Sequence, residues 1–230
     1  MELISIDASP IAIGIIGYLS YFYVLKNITF RHYVKGLFPA SKASFYWIQI
    51  TRLIAFIFMT IVPLVFINSL TPLFWSPTFK WTNQDIIFTL GLAAILIPLG
   101  AINSRGEKHL NQYPQVRMKK WNILEYIINI LSWGIYLLGY EYLFRGILFL
   151  GLLPFFSTIQ AISINTLLYT LAHLYKGKKE TLGSIPLGII LCLITLETNT
   201  IWTAFTAHWI MASNNFMWSL HHQNLKKNPF

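Results

Sequence analysis

The sequence predicts an all-α membrane protein, one polytopic bundle of seven to eight transmembrane helices spanning residues 1–230. Composition is the first reason. A water-soluble domain carries about 25% charged residues, whereas this chain has 11%, with 55% hydrophobic residues and a mean hydropathy of +0.56. The second is length. A bilayer core is crossed by about 20 apolar residues, and apolar runs recur at 9–25, 46–70, 86–102, 122–153, 158–173, 184–197 and 201–220. The third is the placement of positive charge. Of the 17 Lys and Arg, all but Lys80, Arg52 and Arg145 fall in 26–43, 103–120, 174–183 and 221–230, the loops that seven passes would put on one side. By the positive-inside rule those segments and the C-terminus face the cytoplasm, and the N-terminus lies outside.

Taken in order, residues 1–10 hold Glu2 and Asp7 but no basic residue. They do not read as a cleaved signal, so run 9–25 is expected to remain as a helix. Pro63, Pro98 and Pro186 lie inside runs and are expected to kink them, which membrane helices tolerate. Run 122–153 is long for one pass. A break at Gly146 would divide it and create an eighth segment, although the charge asymmetry favours a single crossing. No internal repeat or linker interrupts the chain. The formal net charge of +9 resides in short loops without a nucleic-acid motif, so lipid contact and orientation explain it and no nucleic acid is expected as a partner. Cys192 has no second cysteine to pair with and is expected to pack.

Glu141 and Arg145 stand out within the 122–153 run. A charge at bilayer depth costs roughly 2.5–3.5 kcal/mol and usually faces a protein interior or wet cavity. Four residues apart on a helix, the two share a face and partly neutralise each other. They form either a structural ion pair or part of a site. His173 and His208 supply polar groups from two further runs. At 1.5 Å per residue, Glu141 lies about 18 Å and His173 about 22 Å from the turn at 154–157, and His208 about 12 Å from the turn at 199–200. The three fall at similar depth. A buried carboxylate with two imidazoles can activate water and stabilise an oxyanion. The same trio is also a known zinc set, so Glu141, His173 and His208 are the ligands if zinc is bound; no HExxH spacing supports that use, and no cofactor is expected. Tyr140 and Tyr169 read as packing aromatics with one hydrogen bond each. Asn165, Tyr169 and His173 share a helix face, as a polar helix–helix seam would. His221 and His222 belong to the basic tail, and His32 and His109 to loops.

The stretch Tyr140-Glu141-Tyr142-Leu143-Phe144-Arg145-Gly146 resembles the first motif of the CPBP family, the CAAX protease and bacteriocin-processing (Abi) enzymes, in which two adjacent glutamates precede an arginine. Tyr169-Thr-Leu-Ala-His173 is similar to the second motif, and His208 opens the third. Glu180-Thr-Leu-Gly-Ser-Ile185 followed by Gly188 resembles the segment linking them in bacterial members. The likeness covers about residues 120–220.

The resemblance implies an intramembrane endopeptidase in the bacterial cytoplasmic membrane, acting on prenylated C-terminal peptides, bacteriocin leaders or other membrane-associated peptides. Prenylated substrates are the less expected in a bacterium. Glu141 would activate water with His173, His208 and Asn215 would stabilise the oxyanion, and Arg145 would hold the carboxylate. Two positions depart from the pattern. Tyr140 replaces the first glutamate, and Ala212 stands where Asn or Asp usually follows the third-motif histidine, with Asn215 one turn further on. These departures support a second reading, a non-catalytic immunity or partner-binding protein. A proton-coupled transporter using Glu141 is the third, and no pair of broken helices in corresponding halves supports it.

Overall fold

The computed structural model describes residues 8–70, 80–118 and 120–227. Every long element among them is a helix: α1 (Ser9–Lys26), α2 (Ile28–Gly36), α3 (Ala43–Phe56, continuing through a π-helical segment Ile57–Ile61 into Val62–Leu70), α4 (Asn83–Asn103), α5 (Glu107–Gln112), α6 (Ile123–Glu141, then a π-helical segment Tyr142–Phe149 and Leu150–Leu152), α7 (Thr158–Leu171), α8 (Lys178–Thr198) and α9 (Trp202–Lys227). The all-α expectation is met.

Three helices begin where side chains replace the missing backbone acceptors. Thr82 with Asp85, Asn122 with Glu125, and Ser157 with Gln160 each form a reciprocal capping box at the start of α4, α6 and α7. Asp85 does more than cap. Its buried carboxylate also accepts from the hydroxyls of Thr200 at 2.6 Å and Thr203 at 2.9 Å, which ties the start of α4 to the start of α9. Further along the same seam, Asn214 donates to the carbonyls of Leu96 and Ile97, and Gly100 lets it approach that closely.

α6 is the hub. It packs against α1, α3, α7, α8 and α9. Close approach to α3 depends on small residues. A Cβ on Gly139 would stand 3.1 Å from the Phe56 backbone, and one on Gly17 of α1 would collide with the Phe58 carbonyl. The π segment of α3 lies at this crossing, just before Pro63, whose missing N–H cannot continue an α-helical ladder.

Among the described residues five helices are long and apolar enough to cross a membrane: Ser9–Lys26, Ala43–Phe66, Asn83–Asn103, Ile123–Leu152 and Lys178–Thr198. The expected seven to eight are not reached by this measure. α7 has 14 residues, too few, while α9 has 26 but interrupts its apolar character with His208, Asn214 and Asn215. No break occurs at Gly146. That glycine lies inside the π segment, so residues 123–152 form one continuous helix and the eighth segment does not exist. His32 and His109 sit on α2 and α5, which occupy parts of the two longest basic loops.

Candidate active site

The centre of the bundle gathers the polar groups singled out above, carried by α6, α7 and α9. Glu141 is fully buried at the end of the α-helical part of α6. One carboxylate oxygen, Oε1, accepts a 2.7 Å hydrogen bond from Nδ1 of His208. The other, Oε2, faces Nε of Arg145 at 3.4 Å, an ion pair without hydrogen-bond alignment. Arg145 lies in the π segment. Its Nη1 donates to Oδ1 of Asn165 at 2.7 Å, and its guanidinium lies 4.5 Å over the ring of Tyr169. Asn165 in turn donates to the carbonyl of Phe144 at 2.7 Å and accepts from Cys192 at 3.2 Å. A π turn disturbs the regular i to i−4 ladder, and Asn165 fastens one of its carbonyls from outside.

His173 ends α7. Its Nδ1 lies 2.8 Å from the carbonyl of Tyr169, and a carbonyl only accepts, so Nδ1 carries the proton. The same logic assigns a proton to Nδ1 of His208, whose partner is a carboxylate. In its neutral form each ring then presents Nε2 as a lone pair. The rings lie nearly parallel, at 21°, with centroids 6.4 Å apart. Tyr140 stands edge-on to both, 6.1 Å from His173 and 5.8 Å from His208. Its hydroxyl is 3.5 Å from Nδ1 of His173. Since that nitrogen is already donating to Tyr169, the Tyr140 O–H remains a donor without a committed acceptor. Tyr169 is wholly buried, its ring 4.6 Å from His173.

Glu141, Arg145, His208, His173, Tyr140 and Tyr169 thus meet. Asn215 does not join them: among the described residues it makes no hydrogen bond to any of the six, and the neighbouring Asn214 faces α4 instead. Ala212, at the position where the third motif usually has Asn or Asp, is buried and apolar. Asn165 and Cys192 belong to the cluster and were not expected there as site residues. The i, i+4, i+8 row of Asn165, Tyr169 and His173 was the available signal, but a polar seam has the same spacing.

The zinc set fits poorly. Among the described residues, no three of His, Cys, Asp or Glu are grouped to hold one ion. Oε1 of Glu141 is committed to Nδ1 of His208, so the carboxylate serves that imidazole as its hydrogen-bond partner.

No curated protein and no solved structure shows a match to this chain. Residues 114–214, somewhat less than half of it, match the family model of the Rce1-like, type II CAAX prenyl endopeptidases. That segment runs from the approach to α6 into α9 and carries Glu141, Arg145, Asn165, His173 and His208. The match bears out the likeness to the CPBP and CAAX proteases that the motifs suggest, in a helical bundle whose apolar helices make it an integral membrane protein.

Proposed function

We propose that the protein is an intramembrane endopeptidase in which Glu141 and His208 act as one acid–base unit. The 2.7 Å bond between them is the observation that carries this reading. A carboxylate on Nδ1 fixes the tautomer and leaves Nε2 as the acceptor, the arrangement that acid–base enzymes use to take a proton from a nucleophile. In this reading water gives its proton to the Glu141–His208 unit, and the hydroxide adds to the peptide carbonyl carbon. The unit then returns the proton to the departing amine as the C–N bond breaks. His173 orients the water through Nε2. Tyr140, with its uncommitted O–H, replaces Asn215 and His208 as the donor to the developing oxyanion. Arg145 neutralises Oε2 of Glu141, and Asn165 holds Arg145 in place.

The substrate is a peptide or protein segment held at the membrane. The family name attaches prenyl-peptide cleavage to matching proteins, and carrying that substrate over to this chain belongs to the proposal, as do an N-terminus outside and a cytoplasmic C-terminus. Cleavage of a membrane-anchored reporter by purified protein in liposomes tests the mechanism. Glu141→Gln and His208→Asn should each lower the rate by about 10²–10⁴-fold, and Tyr140→Phe by about 10²-fold. Undiminished cleavage by Glu141→Gln removes the assignment. The non-catalytic reading, favoured by Tyr140 and Ala212, expects partner binding or immunity to survive that substitution, with no cleavage by the parent protein.

A further inference from the structure

Trp209 follows His208 directly on α9 and is half-buried. Its indole Nε1–H donates to the carbonyl of Ile130 on α6 at 2.9 Å. Inside an α-helix that carbonyl already receives the N–H of residue 134, and the indole takes its second lone pair. The approach depends on residue 134 being glycine. A Cβ there would stand 3.0 Å from Cε2 of Trp209 and 3.3 Å from both Cζ2 and Nε1, all atoms of a rigid ring. The indole therefore sits in a notch on α6. It is also stacked on Phe205, one turn earlier, with centroids 5.6 Å apart at 18°.

Consecutive residues of α9 thus hold α6 at two points. Nδ1 of His208 donates to Glu141 at 2.7 Å, and Nε1 of Trp209 to Ile130 at 2.9 Å. Gly134 stands four residues after Ile130 and seven before Glu141, both close to whole turns, so the notch and the carboxylate share a face of α6. A single hydrogen bond would let α9 slide or roll while the imidazole followed the carboxylate by side-chain rotation. A second, one residue away and made by a flat ring in a fitted notch, removes that freedom. The α6 ladder is complete without the indole. What the indole bond fixes is the place of residue 208 relative to Glu141.

We infer that Trp209 is a positioning residue: its N–H on the Ile130 carbonyl, seated at Gly134, fixes the His208 imidazole against Glu141. The inference rests on the Glu141–His208 unit proposed above, and its first test needs no catalysis. Protein isotope-labelled at the histidine nitrogens is studied by NMR in detergent micelles. An imidazole N–H held by a carboxylate gives a proton signal far downfield, and its loss in His208→Asn assigns it.

Trp209→Phe keeps a ring for the notch and the stack but removes the N–H. It should move or broaden the His208 signal and shift the pH dependence of kcat. Reporter cleavage should lose between about tenfold and 10²-fold in kcat with little change in KM. Gly134→Ala, which pushes the indole outward, should move the same signal. Phe205→Leu removes the stacked ring and keeps the N–H; it should lower the unfolding temperature and leave the His208 signal in place. An unmoved signal in Trp209→Phe overturns the inference. So does an equal shift in Phe205→Leu, which would make the effect one of packing. If Trp209→Phe does not fold, Gly134→Ala decides by the same signal. A parent protein without the signal has no Glu141–His208 bond to position, which overturns the inference whether or not peptides are cleaved. If the parent cleaves nothing while Trp209→Phe still moves the signal, the endopeptidase reading fails and Trp209 keeps its assignment.

Discussion

Asn165 binds three partners at once: the guanidinium of Arg145, the carbonyl of Phe144 and the thiol of Cys192. Each contact is buried, so removing the amide leaves donors and acceptors without water to replace it. Asn165→Ala should lower stability by about 1–3 kcal/mol and reduce reporter cleavage through displacement of Arg145. Asn165→Asp, which keeps the acceptor but loses the donor, should recover part of the cleavage. Thermal unfolding in detergent and single-turnover cleavage separate the two effects. At this scale the sequence reveals charged and polar residues inside apolar runs, because nothing else explains their cost there. That is why Glu141, Arg145, His173 and His208 are legible. Asn165 is not, because a neutral amide in a membrane helix has many uses. Asn215 is the reverse case: seven residues after His208 it falls on nearly the same helix face, yet it is the neighbouring Asn214 whose hydrogen bonds to α4 the structure shows.

Helix positions follow from hydropathy closely, whereas their internal geometry does not. Run 122–153 corresponds to a helix at 123–152, and run 86–102 to one at 83–103. The π segments at Ile57–Ile61 and Tyr142–Phe149 leave no mark in apolar periodicity, since apart from Thr60, Arg145 and Gly146 both consist of apolar and aromatic residues. Nor does Gly146 act as a breaker, because the helix around it is buried on all sides and its hydrogen bonds are made internally. Gly139 has a clearer part, since α3 and α6 cross there with the Thr60 side chain and the Phe56 backbone in contact. Gly139→Leu should force the two helices apart at a cost of about 1–3 kcal/mol or more. Because Tyr140 and Glu141 follow directly, cleavage should fall further than stability does. Comparing the unfolding temperature with the cleavage rate of Gly139→Ala and Gly139→Leu checks this ordering.

For the whole molecule, the basic end is also where pH acts. His109 of α5 contacts Ser219 of α9 at 3.1 Å and stacks on Tyr113 at 4.9 Å, and Tyr113 donates to Glu180 at 2.7 Å. Burial, helped by the nearby Lys179, holds the His109 pKa below its usual 6.5. The folded protein thus binds this proton less readily than the unfolded chain, so the contribution is intact above about pH 6.5 and shrinks as pH falls from there toward the lowered folded value. Unfolding temperatures between pH 7.5 and 5.5 should decline, and His109→Gln should flatten that decline. The Asp85 seam has another consequence, for biogenesis. Its carboxylate finds Thr200 and Thr203 only after more than a hundred further residues have been made. At ribosomal speeds of about 5–20 residues per second, α4 resides in the bilayer for roughly 6–23 s before the hydroxyls that complete it emerge. During that interval its acidic end needs a temporary host, such as the insertion machinery or lipid headgroups.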